Sequence, residues 1–391
     1  MVEKRPDAAS PSATAAPMPP DAPTTTAEAT SGPRVCMRPI NALQGGRTSR
    51  HHVAPLPPHI LCNTKCFNYG DPLMSRSTPS ALLAALLLAC GGAASAVAQT
   101  PAAVATVPPT QEVRRADLIA DYFAADPATA WRGAVIVLGG SEGGLGGSGR
   151  MARRLAADGF DAVAVSYFGE PGQTEALDLI PIEPVDRALA WLNARPGTPE
   201  PVAIVGVSKG GELALLVASR NPAIAAVVAA VPSNVVWAGI DRTGGAVGSS
   251  WTAGGQPLPH VPYDFSKGFT GIFNLYRDSL PAASPEAEIP VERIAGPILL
   301  VSGEADTLWP STEMANRVEA RLRSHGFAHP VEHLAYPDAG HAVFGAPVRA
   351  DAPGLQNVTA VGGTVEGLIA ARADVWPRTL TFLKTALAEA D

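Results

Sequence analysis

Short apolar runs alternate with helical patterns from residue 134 to the end of the chain. Between the runs, apolar side chains recur at three- and four-residue spacing, as at Val185, Leu189 and Leu192, which is typical of helices with one buried face. Buried strands joined by helices predict an α/β fold with a mostly parallel sheet covered by helices on both faces. The predicted strands are 134–138, 162–168, 202–207, 224–231, 298–301 and 331–336.

Helix boundaries follow from local signals. A helix at 151–158 ends at Gly159, and one over 209–220 is stopped by an Asn-Pro pair. Ser311 is expected to cap a third helix.

The alternating pattern of strands and helices lapses over 232–294, which is rich in Gly, Pro and aromatic residues. An irregular stretch this long inside a domain is usually functional, so we expect a cap or substrate loop there.

The N-terminal part of the chain has a different composition. Residues 1–73 are rich in Pro, Ala, Thr and Ser without a hydrophobic period, so we predict that they are disordered or a mis-annotated extension. Residues 74–98 begin at Met74 with a positive charge, continue with a leucine-rich run and end in small residues, which is typical of a signal peptide. We therefore expect an exported chain that starts at Gln99.

Alternatives to this cleavage remain open. The residues before Cys90 also resemble a bacterial lipobox, and lipidation of Cys90 would tether the protein to a membrane. A membrane anchor at 81–98 is a further alternative, although two glycines interrupt the run. If the signal interpretation is wrong, a cytoplasmic location is expected. Residues 99–130 are interpreted as a linker with the first elements, and 131–391 as one domain.

The charge and the cysteine content exclude some classes of function. The formal net charge is −7, so the chain lacks the basic footprint that nucleic acids require. All four cysteines lie at or before Cys90, so a chain that starts at Gln99 forms no disulfide. We expect no metal, because one group of possible zinc ligands fits no standard spacing and is surrounded by proline. That group is His51, His52, His59, Cys62 and Cys66.

Two serines match the pattern G-x-S-x-G, in which a sharp strand-to-helix turn exposes a nucleophilic hydroxyl. Ser208 follows the predicted strand 202–207 and precedes a helix at once. Ser141 also follows a strand, but glycine-rich sequence to Gly149 comes after it, with no immediate helix. We therefore predict that Ser208 is the nucleophile. The oxyanion would then be held by the backbone N–H of Lys209 and by that of Ser141 or Gly140.

The same glycine-rich stretch offers a competing interpretation. Gly144 to Gly149 matches G-x-G-x-x-G, and Glu170 follows near the end of the next strand, as a ribose-binding acid would. However, the first glycine of a dinucleotide motif comes directly after its strand, whereas Gly144 lies six residues beyond Leu138. A dinucleotide enzyme is thus a lesser alternative.

A serine nucleophile needs an orienting acid and a base, in the chain order Ser, acid, His for this architecture. Asp306 lies just past the predicted strand 298–301, and His341 follows the strand 331–336. The rival acids are Asp338, which shares the histidine's loop, and Glu304, which comes early in its turn. Among the other histidines, His333 lies inside its strand and is interpreted as a half-buried core residue, and His260, His325 and His329 follow no strand end.

Separate motifs occur at 206–216, 232–239, 250–251, 257–262, 309–311 and 376–377. Together they resemble the C-terminal catalytic domain of acyl-CoA thioester hydrolases and bile-acid-CoA:amino acid N-acyltransferases, which are related to dienelactone hydrolase. The resemblance implies an α/β-hydrolase fold and a triad that falls on Ser208, Asp306 and His341. The transferases use cysteine where Ser208 stands, and those relatives usually carry an N-terminal β-sandwich, for which the chain between Gln99 and Trp131 has no room. Hydrolysis is therefore favoured.

The sequence thus predicts a serine hydrolase of small-molecule acyl thioesters or carboxylic esters that needs no cofactor. Export would separate it from CoA thioesters, so an exported carboxylesterase is one alternative, and acyl transfer to an amine is another. A non-catalytic acyl or lipid binder is the alternative from a different class. Four aromatic residues of the irregular segment are expected to line the acyl pocket. They are Trp237, Trp251, Tyr263 and Phe265.

Overall fold

A computed structural model describes residues 108–197 and 200–390. The predicted signal segment 74–98, the extension 1–73, Cys90 and the cysteine and histidine group around residues 51–66 lie outside the described residues. Within the described part, no helix is both long enough and apolar enough to cross a membrane.

An eight-stranded sheet forms the centre of the fold. The strands are β1 Gln111–Arg115, β2 Leu118–Phe123, β3 Ala134–Leu138, β4 Asp161–Ser166, β6 Val202–Val207, β7 Ile224–Ala230, β10 Ile298–Gly303 and β11 Val331–Tyr336. Their spatial order is β1-β2-β4-β3-β6-β7-β10-β11, and all neighbours from β4 to β11 are parallel. Only β2 runs against the others, since it pairs antiparallel with both β1 and β4.

Helices cover both faces of this sheet, as predicted. Alternate side chains of each strand enter one of two cores, because successive residues of a strand point to opposite faces. The helices are α1 Gly146–Ala157, α2 Glu183–Asn193, α3 Lys209–Ala218, α4 Ile272–Ser279, α5 Ser311–Ser324 and α6 Val365–Glu389. One core holds α1 and α6, and the other holds α2, α3 and α5.

The predicted α/β fold with a mostly parallel sheet is confirmed, and the differences are local. Helix α1 begins at Gly146 inside the glycine-rich stretch, five residues earlier than its apolar pattern indicates. Ser311 does not cap α5 but is its first residue, after Pro310. The β1–β2 hairpin lay unrecognised within 99–130; β1 exposes four of its five residues at the sheet edge, so its apolar signal is weak.

The insert 232–294 contains regular structure that its sequence did not indicate. Strands β8 Trp251–Ala253 and β9 Gln256–Pro257 join β5 Ile180–Pro181 in a small second sheet. Helix α4 and three short 3₁₀ turns follow before β10. The insert connects β7 to β10. Strand β7 pairs with β6, which precedes the predicted nucleophile, and β10 precedes the predicted acid.

Candidate active site

The predicted triad residues and the first glycine loop follow four strands of the same sheet. Gly140 follows β3, Ser208 follows β6, Asp306 follows β10, and His341 follows β11. These strands are parallel, so their carboxyl ends meet at one edge, where α/β folds bind ligands.

Ser208 occupies a strained turn between β6 and α3. Its backbone has φ +58° and ψ −120°, a conformation that costs a non-glycine residue free energy and that clusters at functional sites. The turn is held by a hydrogen bond from the Ser208 N–H to the carbonyl of Ala230 at 2.9 Å. A Cβ on Gly206 would lie 2.9 Å from the Cβ of Ala214 and would clash with the carbonyl of Gly210. The close contact of strand and helix therefore requires glycine at 206.

We expect Gly206→Ala to destabilise the fold by about 1–3 kcal/mol or more, because the new methyl group meets backbone that has no room to move. Gly149→Ala is the matched control. It lies in α1 with open space around an added Cβ, and it should stabilise the protein by up to about 1 kcal/mol through helix propensity. Chemical denaturation of both variants measures the difference, and equal stabilities would contradict the tight-turn geometry.

Asp306 and His341 form a hydrogen-bonded pair. The Nδ1 of His341 lies 2.8 Å from Oδ2 of Asp306, which fixes the imidazole with Nε2 directed away from the acid. Asp306 is buried; its Oδ1 accepts from the backbone N–H groups of Leu308 and Trp309, and its Oδ2 also accepts from the Ser311 hydroxyl at 2.7 Å. Nε2 of His341 is buried without a hydrogen-bond partner among the described residues.

The two rival acids do not share this position. Glu304 and Asp338 are exposed, whereas Asp306 is buried and bonded to the imidazole. The rivals Asp338 and Glu304 are therefore less suited to orient His341 than Asp306.

The first glycine loop lies against the nucleophile turn. A Cβ on Gly140 would come within 3.3 Å of the Cβ of Ser208, so this loop and the serine are in van der Waals range. The hydroxyl of Tyr167 donates to the carbonyls of Gly139 at 2.6 Å and Gly140 at 2.9 Å. Burial raises the pKa of this hydroxyl well above its usual value, so it stays a donor. Sequence reasoning did not find Tyr167.

Carboxylates occupy the N-terminus of α1, where the dinucleotide interpretation would place a phosphate. Oε1 of Glu170 accepts from the backbone N–H of Leu145 at 2.8 Å. The carboxylate of Glu142 lies over Gly147 at the same helix start. Two negative groups at this helix end disfavour a bound pyrophosphate, which normally takes that place.

A buried ion pair lies in the first turn of α3, immediately after the predicted nucleophile in the chain. Nζ of Lys209 is 2.6 Å from Oε2 of Glu212, and neither side chain is more than 1% exposed. Nζ also donates to the Ser250 hydroxyl at 2.8 Å, and Oε1 of Glu212 accepts from the indole of Trp251 at 2.7 Å. Burial lowers the pKa of Lys209 and raises the pKa of Glu212, and the mutual attraction of the pair opposes both shifts.

The four predicted pocket aromatics occupy different environments. Trp237 and Trp251 have no accessible surface, so they line no open pocket; this part of the prediction is corrected. Both are core residues that contact Glu212, Trp237 through its backbone N–H and Trp251 through its indole. Tyr263 is partly buried against Trp237, and Phe265 is 38% exposed. For these two the pocket assignment stays a prediction.

Residues 361–364 hold the acid loop and the histidine loop together, which the sequence analysis did not find. The carbonyl of Val361 accepts from the N–H groups of Thr307 and His341, and the N–H of Thr364 donates to the carbonyl of Asp338. Gly362 and Gly363 both have positive φ values, and an added Cβ on Gly362 would clash with the carbonyl of Ala305. The adjacent glycines were the available signal.

A second serine and histidine pair lies inside the sheet. Nε2 of His333 is 2.8 Å from the Ser302 hydroxyl, and Nδ1 is 3.1 Å from Glu319. Ser302 is fully buried, so a substrate has no access to it. Its hydroxyl accepts from Thr312, the neighbour of the Ser311 that bonds Asp306. The interpretation of His333 as a core histidine agrees with this position, and the pair does not compete with Ser208.

No cluster of three or more His, Cys, Asp or Glu residues suited to a metal ion occurs between residues 108 and 390, apart from the undescribed 198–199.

The family model described as "BAAT / Acyl-CoA thioester hydrolase C terminal" matches residues 180–389, more than half of the chain. The chain belongs to this family. The predicted resemblance to the BAAT / acyl-CoA thioester hydrolase family is thereby confirmed, and a model described as "X-Pro dipeptidyl-peptidase (S15 family)" also matches residues 94–258.

Individual relatives agree with membership of the thioester hydrolase family. The chain is 28% identical to acyl-coenzyme A thioesterase 1 of Homo sapiens over 239 residues, which cover 58% of this chain and 54% of that protein. It is 28% identical to acyl-coenzyme A thioesterase 6 of Mus musculus over 268 residues, covering 64% and 59%. The chain thus spans little more than half the length of these relatives.

Two solved structures align with 71% of this chain at low sequence identity. One is a dienelactone hydrolase-like promiscuous phosphotriesterase from metagenomic libraries, with 19% identity, coverage of 71% of this chain and 97% of that chain, and a TM-score of 0.44. Another is an alpha/beta hydrolase from a deep-sea metagenome library of the Medee basin, with 15% identity, coverage of 71% and 95%, and a TM-score of 0.43.

Proposed function

We propose that the protein is a serine hydrolase that cleaves acyl thioesters or carboxylic esters through an acyl-enzyme on Ser208. The observation that carries the proposal is the Asp306–His341 hydrogen bond of 2.8 Å at the same sheet edge as the strained Ser208 turn. A strained serine at a strand-to-helix turn, with a histidine and a buried acid, is the arrangement used for acyl transfer on this architecture.

The proposed reaction begins when Oγ of Ser208 attacks the substrate carbonyl carbon and its proton passes to Nε2 of His341. Asp306 stabilises the imidazolium that forms, because its carboxylate accepts from Nδ1. The backbone N–H of Lys209, with that of Gly140 or Ser141, holds the negative charge that develops on the carbonyl oxygen.

Collapse of the tetrahedral intermediate breaks the bond to the leaving thiol or alcohol, which takes the proton from His341. Water then attacks the acyl-enzyme, with Nε2 of His341 as base, and releases the carboxylic acid while Ser208 regains its proton. The imidazole accepts and returns a proton twice, which brings the enzyme back to its starting state, so the proposed cycle needs no metal and no cofactor.

Thioesters and carboxylic esters are both proposed substrates. The relatives at 28% identity are named acyl-coenzyme A thioesterases, which supports the thioester. A serine at position 208 accommodates either leaving group. An amine as acyl acceptor is a competing proposal, since an acyl-enzyme can transfer to any nucleophile that enters the site.

A substrate panel tests this proposal. The purified protein is assayed against p-nitrophenyl esters and acyl-CoA thioesters of two to sixteen carbons, with and without an added amine. We expect turnover of at least one series with release of free acid. Amide formation in place of free acid would overturn hydrolysis, and binding without turnover would indicate the acyl binder instead.

We also propose that the mature protein is exported and begins at Gln99, or at a lipidated Cys90. The support is the order of positive start, leucine-rich run and small residues over 74–98. Intact-mass analysis of the native protein should give the mass of a chain from Gln99, or from Cys90 with attached lipid. A native product that retains residues of 1–73 would overturn this and favour a cytoplasmic thioesterase.

A further inference from the structure

Both sides of the proposed oxyanion hole connect to one buried side chain, Trp251. The ring of Tyr167, which bonds the first glycine loop, packs edge-on against the indole at 5.4 Å. The ammonium of Lys209 lies 5.2 Å from the indole centre. Glu212 accepts from the indole N–H at 2.7 Å. The two halves of the hole, which come from distant parts of the chain, therefore share one set of contacts.

On the side of the glycine loop, the hydroxyl of Tyr167 controls two peptide units. Its single O–H is shared between the carbonyls of Gly139 and Gly140. In a trans peptide the C=O and the following N–H are coplanar and point in opposite directions. Fixing these two carbonyls therefore fixes the directions of the Gly140 and Ser141 N–H groups, which are the two candidate oxyanion donors on this side.

On the nucleophile side, the Lys209 side chain is anchored at its end. Nζ is held by Glu212 and by the hydroxyl of Ser250, which itself donates to the carbonyl of Ala238 in the insert. The backbone N–H of Lys209 is the proposed second oxyanion donor. Because these hydrogen bonds hold the end of its side chain, Lys209 has little freedom to rotate its own peptide unit.

The burial of the Lys209–Glu212 ion pair costs desolvation free energy. Taking two charges out of water carries a penalty that their attraction repays only with good geometry and further hydrogen bonds. Here both charged groups have such partners: Oε1 of Glu212 accepts from Trp237 and Trp251, and Nζ of Lys209 donates to Ser250. These contacts join α3 to two separate stretches of the insert, at Trp237 and at 250–251, so the pair fixes the insert against the nucleophile turn.

We propose that Tyr167, Lys209, Glu212 and Trp251 form a positioning network that aligns the backbone donors of the oxyanion hole from both sides. The inference deepens the proposed hydrolase function and rests on it. The side chains of the network act through the N–H groups of Gly140, Ser141 and Lys209. A misaligned donor stabilises the transition state less but leaves substrate binding unchanged, so the network should affect kcat and not KM.

The first test is Tyr167→Phe, which removes the hydroxyl and keeps the ring against Trp251. We expect kcat to fall about tenfold to a hundredfold, with KM within about twofold and the melting temperature little changed; loss of a whole donor costs about 10² to 10³, and misalignment costs part of that. Tyr122→Phe is the matched control, because Tyr122 is a buried tyrosine of β2 that pairs with Val163 near the start of β4, away from the catalytic edge. It should keep the wild-type kcat.

The second test replaces the ion pair without leaving a charge, in the double variant Lys209→Met with Glu212→Gln. Neutral replacement of both partners of a buried pair is often tolerated by the fold. We expect a folded protein whose kcat, and whose rate of labelling by a fluorophosphonate, fall at least tenfold at unchanged KM. If this double variant does not fold, the kcat of Tyr167→Phe alone decides whether the positioning network exists.

The outcomes separate the inference from the proposed function. A wild-type protein that neither turns over esters or thioesters nor reacts with the fluorophosphonate contradicts the hydrolase itself. An active wild type with a Tyr167→Phe variant of equal kcat overturns the positioning network. A fall in kcat that simply follows a fall in melting temperature, in both variants, would also overturn it, because that is the behaviour of a purely structural role.

Discussion

Ser208→Ala is expected to reduce kcat by up to about 10⁶, to the level of catalysis that binding and the oxyanion hole alone provide. The reason is that no acyl-enzyme forms once the hydroxyl is absent. The fold should be unaffected, because the strained turn at φ +58° is held by backbone contacts of Ala230, Gly206 and Gly210 and not by the hydroxyl. Steady-state kinetics on the best substrate of the panel, with the melting temperature as a check of folding, give the result.

Ser141→Ala is the matched control, since Ser141 stands in the other G-x-S-x-G motif. Only its backbone N–H is a candidate donor, so the alanine variant should keep most of the activity. Full activity of Ser208→Ala together with an inactive Ser141→Ala would move the nucleophile to the first glycine loop.

Asp306→Asn is expected to lower kcat by about 10⁴ with a small change in stability. The Oδ1 position accepts from two backbone N–H groups, so the amide oxygen of asparagine must stay there. The amide NH₂ then replaces Oδ2, which faces Nδ1 of His341. A donor at that place forces Nδ1 to accept, and the proton moves to Nε2, where it blocks the transfer from Ser208.

The exposed Asp338 supplies the control for this variant. Asp338→Asn changes a carboxylate of the histidine's own loop without touching the imidazole, so near wild-type kinetics are expected. Kinetics of both variants at several pH values make the comparison. Equal activity of Asp306→Asn and the wild type, with loss in Asp338→Asn, would assign the acid to Asp338.

The sequence predicted the parts of the site that depend on local pattern. Continuous apolar strands and helical spacing gave the order of elements, and the strand ends placed Ser208, Asp306 and His341 at one edge. Parallel strands have their carboxyl ends on the same side, so these residues converge without any long-range information. The Asp306–His341 hydrogen bond agrees with that expectation.

What the sequence did not indicate depends on contacts between distant residues. Trp237 and Trp251 were assigned to an acyl pocket because aromatic residues in an irregular segment commonly line pockets. Their burial instead follows from Glu212, a carboxylate inside α3 that needs donors and finds them in the insert. A buried acid and its partners 25 and 39 residues away leave no periodic signal.

The same limit applies to the paired loops of the site. Tyr167 reaches the carbonyls of Gly139 and Gly140 from the end of the neighbouring strand, and Val361 bonds both Thr307 and His341. Each contact joins segments that are adjacent only in the folded sheet. The glycines that permit close approach are visible in the sequence, but their partners are not.

The most direct test of the central claim is the site of covalent labelling by a fluorophosphonate, which mimics the acyl-enzyme with a stable phosphonyl bond to the nucleophilic serine. Mass analysis of the proteolysed adduct should find one phosphonyl group, on the peptide that contains Ser208, and none on Ser208→Ala. An adduct on the peptide that contains Ser141, or ester turnover by a protein that carries no adduct, would contradict an acyl-enzyme on Ser208.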